Sequence, residues 1–118
     1  MSEKFLVNCE HGSDDPEKAT ISFILAFTSS KTHETAVFAT SGASHLFVKA
    51  DRPQIVADGY EPLNDLIDGF IENGGKIWLC PACARAKGIA QDDLLGGVEI
   101  AGAPKTMAYL ASGALTLA

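Results

Sequence analysis

The hydrophobic pattern divides the chain into short apolar blocks and longer segments with helical periodicity. The blocks are predicted to be strands, and they occupy residues 5–9, 35–40, 77–79, 98–100 and 114–117. Most are nearly continuous in apolar residues, which is typical of strands buried on both faces of a parallel sheet. Parallel strands need crossover connections, and the helical segments between the blocks supply them. The pattern therefore predicts an α/β fold around a largely parallel, five-stranded sheet.

Helix signals occupy the segments between these strands. Asp15 is the predicted N-cap of a first helix with Pro16 at its first position, and this helix is apolar on nearly all sides as far as Phe27. Such a helix is expected to be buried on more than one side, in the core or against another subunit. Residues 43–59 give only a weak signal, for a short helix followed by an exposed loop.

The clearest amphipathic helix opens at Glu61-Pro62 and ends at Gly74-Gly75. Its apolar stripe has the i, i+3, i+4, i+7, i+8 spacing of one helical face and consists of Leu63, Leu66, Ile67, Phe70 and Ile71. Shorter helices are predicted after Cys80, at 91–93 and from Ala103 to Leu110.

Length and charge limit the classes of protein to which the chain can belong. Its 118 residues, 47% of them hydrophobic, are expected to form a single domain over residues 1–118. The net charge is −6 and no Lys/Arg cluster occurs, so neither a nucleic-acid nor a membrane partner is expected. The apolar runs are far shorter than the roughly 18 residues of a membrane span, and the N-terminus lacks a secretory apolar stretch. A cytoplasmic location is expected.

The sequence Cys80-Pro81-Ala82-Cys83 carries the strongest chemical signal. An apolar strand runs into it, and Pro81 ends that strand and suits the first position of a helix. Cys80 is then the N-cap and Cys83 the third helical residue. Free backbone N–H groups and the helix dipole favour thiolate there, and such sites lower a cysteine pKa from about 8.5 to roughly 3.5–7.5. Both cysteines are therefore candidate catalytic residues.

Other polar residues are predicted to share the edge of the sheet on which Cys80 lies. In a parallel sheet all strands end at the same edge, and sites form there. Candidate binding residues are His11 after the first strand, Ser41 and Gly42 after the second, and Arg85 beside the cysteines. His11 can relay protons or bind an anion, and Arg85 can hold an anionic substrate or steady a persulfide.

Several interpretations of the cysteines stay open from the residues alone. Cys80 can act as a nucleophile or persulfide carrier, or it can form a redox dithiol with Cys83. A third hypothesis is a zinc site made of Cys9, His11, Cys80 and Cys83, although a single CxxC is a weak zinc signal. Free thiols can also simply fill the core. Three cysteines do not indicate a disulfide framework, and with no GxSxG, HExxH or GxGxxG motif, no cofactor is expected.

The chain resembles the DsrE/DsrF-like family, which includes small sulfur-relay proteins and YchN-type proteins. The apolar strand into Cys80, the pair Lys87-Gly88 and the segment 93–102 carry the resemblance in the C-terminal half. In the N-terminal half it is carried by the polar loop 14–16, the Ala-rich apolar helix, and the strand that ends in Thr40-Ser41-Gly42. The resemblance covers nearly the whole chain.

The resemblance implies a three-layer α/β/α sandwich that assembles as a homotrimer or homohexamer. In the sulfur-relay members, the cysteine that matches Cys80 accepts sulfur as a persulfide and passes it to a partner protein. This chain would then handle sulfur through Cys80, as a carrier or sulfurtransferase, with a sulfur donor or acceptor protein as its partner. Cys83 is shared by only some members, and a neighbouring thiol can resolve a persulfide to a disulfide and release sulfide.

Overall fold

Strands and helices alternate along the chain in the computed structural model, which describes residues 3–117. The strands are β1 (Lys4–Cys9), β2 (Glu34–Ala39), β3 (Lys76–Leu79), β4 (Val98–Ile100) and β5 (Ala114–Leu117). The helices are α1 (Pro16–Ser30), α2 (Leu63–Glu72), α3 (Pro81–Ala86) and α4 (Ala103–Ala111), and the 3₁₀ segments are Ser41–Phe47, Lys49–Asp51 and Gln91–Asp93. The predicted α/β class and order of strands and helices are confirmed.

The five strands form one parallel sheet in the order β4-β3-β2-β1-β5. The register aligns Cys9 with Ala39, and Ala39 with Leu79. The ends of β1, β2 and β3 therefore lie side by side, and the loops that follow them meet at one edge of the sheet. We call this edge, with the turns after Cys9, Ala39 and Leu79, the carboxyl rim.

The larger hydrophobic core lies between the sheet and the layer that contains α1 and α2. Phe23 of α1 lies at its centre, with its ring 5.9 Å from that of Phe47 and 6.0 Å from that of Phe70. The predicted stripe of α2 faces this core: Leu63, Leu66, Ile67 and Phe70 are buried, and Ile71 is partly buried. Packing of this apolar layer against the sheet supplies most of the burial that stabilises the domain.

Helix α1 packs on two sides, against the sheet and against α2. A Cβ atom at Gly69 of α2 would lie 2.7 Å from the Phe27 ring, so the two helices approach closely because this position has no side chain. The outer side of α1 is more open, and Ile21 is 39% exposed. The prediction that this apolar helix is buried on more than one side is confirmed, because the sides that face the sheet and α2 are both packed.

The opposite face of the sheet is covered by α4, which completes the α/β/α sandwich. A smaller core of Leu6, Ala36 and Trp78 lies there, and the Tyr109 ring of α4 meets the Trp78 ring edge-on at 5.2 Å. Residues that alternate along a strand point to opposite faces, so each of β1, β2 and β3 contributes to both cores.

The difference in burial between two strand leucines predicts how much each contributes to stability. Leu79 is fully buried at the end of β3, whereas Leu115 of the edge strand β5 is 52% exposed. Leu79→Ala is expected to lower the free energy of unfolding by about 2–5 kcal/mol, through lost burial and a cavity. The matched control Leu115→Ala is expected to cost about 1 kcal/mol or less. Urea denaturation measures both values, and similar losses would contradict the packing described.

Candidate functional site

The turn from β3 into α3 places Cys80 at the carboxyl rim. The Cys80 N–H donates to the Ala39 carbonyl at 3.0 Å, which extends the pairing with β2 one residue past the end of the strand. Pro81 then begins α3, and the Cys80 carbonyl accepts the first helical hydrogen bond from the Ala84 N–H at 3.0 Å. Cys80 has non-helical backbone angles (φ −53°, ψ 125°) and directly precedes the first residue of α3, so the predicted N-cap position is confirmed.

The surroundings of the Cys80 sulfur favour the thiolate. The pKa of Cys80 is lowered below that of a free cysteine, chiefly because the Cys83 backbone N–H is directed at the sulfur. The Cys83 thiol, the Ala82 N–H and the charge of Arg85 act in the same direction, while partial burial opposes them. The side chain is only partly buried, so reagents can reach the sulfur. Backbone dipoles at a helix start thus stabilise an accessible anion, as the sequence predicted.

The second cysteine of the motif is held by the loop after β2. The Ser41 backbone N–H donates to the Cys83 sulfur at 3.3 Å. Ser41 has a φ of +52°, which is uncommon for a residue with a side chain and costs roughly 1–3 kcal/mol. The Ser41 carbonyl accepts from the Ser44 hydroxyl at 2.8 Å, within the same 3₁₀ segment. A strained residue therefore provides a hydrogen bond to a candidate catalytic thiol.

Two glycines bring the loops after β1 and β2 into direct contact. A Cβ atom at Gly42 would lie 2.2 Å from the Asp14 Oδ1 atom, and one at Gly12 would lie 2.4 Å from the Gly42 carbonyl oxygen. The Gly42 N–H also donates to the Glu10 carbonyl at 3.1 Å. Larger side chains at either glycine would push the loops apart, so both positions help to place Ser41 beside Cys83.

Asp14 connects His11 to this contact and was not among the site residues that the sequence predicted. Its carboxylate accepts from the Gly12 N–H at 2.7 Å and lies 2.8 Å from the His11 Nδ1 atom. These groups, the Gly12 N–H first, lower the pKa of Asp14. The short spacing in His11-Gly12-Ser13-Asp14 was the available signal, because an aspartate can bond backbone two residues away in a turn.

Cys9 belongs to the core and not to the site. It aligns with Ala39, is fully buried in the larger core, and its thiol lies 3.5 Å from the His11 carbonyl oxygen. Burial raises its pKa to about 11. Over residues 3–117 no three His, Cys, Asp or Glu side chains gather as metal ligands, so the set Cys9, His11, Cys80 and Cys83 does not converge. The zinc hypothesis fails because Cys9 points into the core.

The structure therefore brings some of the predicted site residues close together and leaves others apart. Cys80, Cys83, Ser41 and Arg85 are in contact or in electrostatic range of one another. Gly42 contacts this group through the backbone, and His11 is linked to it only through Asp14. His11 lines a separate hollow of about 480 Å³ with Lys18 and other residues of β1 and α1.

Fold and site together define a class: a small parallel α/β protein with a stabilised, accessible thiolate at a strand-to-helix turn. The model of the DsrE/DsrF-like family matches residues 3–117. The chain belongs to this family. In the described residues 3–117, no helix has the length and apolar content needed to cross a bilayer.

Several known proteins resemble the chain. MJ0760 of Methanocaldococcus jannaschii, an uncharacterized protein, is 30% identical over 111 residues, which is 93% of this chain and 40% of that protein. The chain thus spans two-fifths of the length of this relative. The crystal structure of the ychN protein from E. coli has a TM-score of 0.78 at 20% identity and covers 99% of this chain and 100% of that one. MTH1491 of Methanobacterium thermoautotrophicum, of unknown function, has a TM-score of 0.68 at 16% identity and 98% coverage of both chains. These structures share the fold.

The opposite pKa shifts of Cys80 and Cys9 predict distinct reactivities. The folded state stabilises the Cys80 thiolate, so more acid is needed to protonate it, and its alkylation rate should be half-maximal at a lower pH than in the unfolded protein. Cys9, with a pKa of about 11 and no exposure, should not react at pH 8. Iodoacetamide rates followed by peptide mass spectrometry measure both, with protein unfolded in urea as the control. A native Cys80 midpoint at or above that of the unfolded protein would contradict this description.

Proposed function

We propose that the chain is a sulfur carrier that accepts sulfur as a persulfide on Cys80 and transfers it to an acceptor. The observation that carries this proposal is the accessible Cys80 sulfur with the Cys83 and Ala82 N–H groups directed at it. A thiolate is the nucleophile that sulfur transfer requires. Membership of the DsrE/DsrF-like family supports the same role. An acceptor protein is a partner in this proposal, and the donor is a protein or small molecule that carries a sulfane sulfur.

The loading step needs only the thiolate and a donor that carries a sulfane sulfur. The Cys80 thiolate attacks the outer sulfur of a donor persulfide, R–S–SH. The bond between the two donor sulfurs breaks, R–S⁻ leaves with the electron pair, and Cys80–S–SH forms. The step is an exchange of one sulfur–sulfur bond for another, so it requires no external oxidant or reductant. The helix N–H groups that stabilise the Cys80 anion can also stabilise a persulfide anion at this position.

In this proposal Cys83 reacts with the persulfide that forms on Cys80. If the Cys83 thiolate attacks the inner sulfur, a Cys80–Cys83 disulfide forms and HS⁻ leaves with the electron pair. The Ser41 N–H donates to the Cys83 sulfur at 3.3 Å and so helps to fix the position of that thiol. A thiol reductant then has to restore the two thiols. Cys83 thus limits the lifetime of the persulfide and gives the carrier a route for releasing sulfide.

Loading is tested by incubating the protein with inorganic polysulfide and mapping added sulfur by mass spectrometry. We expect one sulfur atom on Cys80 in Cys83→Ser, which lacks the resolving thiol, and none at this position in Cys80→Ser. Cys9 serves as the internal control, since it is buried and should stay unmodified. An accessible, alkylatable Cys80 that takes up no sulfur would overturn the proposal.

The role of Cys83 predicts a longer-lived persulfide when that thiol is absent. In Cys83→Ser the Cys80 persulfide is expected to persist at least about tenfold longer, because the resolving nucleophile is missing. Sulfide release should fall in parallel. A sulfide-selective electrode and timed mass spectra follow the two quantities. Unchanged release in Cys83→Ser would show that Cys83 does not resolve the persulfide. A disulfide formed by mild oxidation alone, with no sulfur uptake at Cys80, would favour a dithiol redox role.

We also propose assembly as a homotrimer or homohexamer, as the family resemblance implies. The outer side of α1, with Ile21 39% exposed, offers an apolar surface for such contacts. Light scattering on the purified chain should give three or six times the mass of 12.4 kDa. Ile21→Glu is expected to shift the mass downward, whereas Val56→Glu, at a loop position 63% exposed, should not. A monomer at micromolar concentration would contradict this proposal.

A further inference from the structure

A cleft separate from the hollow beside His11 lies at the end of α3. Its volume is about 470 Å³, within the range of small-molecule sites. One wall comes from the 3₁₀ segments after β2 and includes His45, Val48 and Asp51. The other wall comes from the end of α3 and the loop beyond it, and includes Lys87 and Ile89.

The cleft begins about one helical turn from the candidate thiols. Lys87 follows Cys83 by four residues, and its N–H donates to the Cys83 carbonyl at 3.2 Å, so it continues the helical turn. Residues four apart lie on the same side of a helix, roughly 6 Å apart along its axis. On the facing wall, His45 belongs to the same 3₁₀ segment as Ser41, whose N–H contacts the Cys83 sulfur. Both walls thus lead from the Cys83–Ser41 contact into the cleft.

The lining combines opposite charges with an apolar surface. Lys87 carries a positive charge, and Asp51 and Asp93 carry negative ones. The Asp93 carboxylate already accepts from the Ala90 N–H at 2.8 Å, whereas neither Lys87 nor Asp51 forms an ion pair with another of residues 3–117. Val48 and Ile89 add apolar surface to the same cleft. A ligand that matches this lining has a carboxylate, an ammonium group and a short apolar stem. An α-amino acid whose stem carries sulfur combines these features.

We propose that this cleft binds zwitterionic amino-acid persulfides, the class to which cysteine persulfide belongs, and so selects the sulfur donor for Cys80. The inference rests on the proposed sulfur-carrier function. Lys87 binds the donor carboxylate, Asp51 binds its ammonium group, and the persulfide end extends along α3 toward the two thiols. The Cys80 thiolate takes the outer sulfur, the donor sulfur–sulfur bond breaks, and the amino-acid thiolate leaves with the electron pair.

Kinetics with two donors test this assignment. Lys87→Gln and Asp51→Asn are each expected to slow loading of Cys80 by cysteine persulfide about tenfold, because each removes a charged contact to the donor. Loading by inorganic polysulfide, which has no ammonium group, should not be slowed by Asp51→Asn. The matched control Lys76→Gln, at the opposite end of β3 from Cys80, should leave both rates unchanged.

Binding without reaction gives a second readout. S-methylcysteine has the same charges but no transferable sulfur, and in the native protein it should shift the amide NMR signals of the cleft residues. In Lys87→Gln those shifts should be reduced about tenfold at the same ligand concentration below saturation.

The outcomes separate this inference from the function on which it rests. If polysulfide loads Cys80 but both cleft variants keep the native rate with cysteine persulfide, the cleft assignment is wrong and the carrier function stands. An absence of NMR shifts with S-methylcysteine would overturn the assignment in the same way. If neither donor loads Cys80, the carrier function fails and the donor assignment fails with it.

Discussion

The parallel register between β2 and β3 positions everything at the carboxyl rim. Ala39 aligns with Leu79, and the Ala39 carbonyl accepts the Cys80 N–H, so the chain is held in line with the sheet until the residue that starts α3. Pro81 cannot continue the ladder, and the helix begins at once. The N-terminus of α3 therefore has a defined position relative to the loop after β2. Without that alignment the Ser41 N–H would not meet the Cys83 sulfur.

Close backbone packing provides the second constraint. Gly12 and Gly42 let the loops after β1 and β2 approach to a distance that side chains would prevent, and Asp14 occupies the space beside Gly42. Ser41, which directly precedes Gly42, has a left-handed backbone conformation, and its N–H is directed at the Cys83 sulfur. Unfavourable backbone angles persist only where surrounding structure enforces them, and they occur often at functional sites. The three loops thus act as one support for the thiols.

The position of each cysteine in the fold gives Cys9 and Cys80 opposite pKa shifts. Cys9 ends β1 and lies level with Ala39 and Leu79. It is buried in the larger core, and its pKa is raised to about 11. Cys80 lies one residue beyond the aligned position of β3, at a helix start where N–H groups are free, and its pKa is lowered. Three cysteines of one small domain therefore serve different purposes. One fills the core, and two form an accessible pair.

The local part of this description could be predicted from the sequence. The parallel α/β class, the order of strands and helices, the caps at Asp15 and Cys80, and the stripe of α2 depend on residues close together in the chain, whose periodicity and stereochemistry are visible in one dimension. The strand order, the core position of Cys9, the Asp14–Gly42 contact and the Ser41 hydrogen bond depend on segments that are distant in sequence. Only tertiary packing decides such contacts, because which neighbour a strand or loop meets is set by how all the apolar surfaces are buried together.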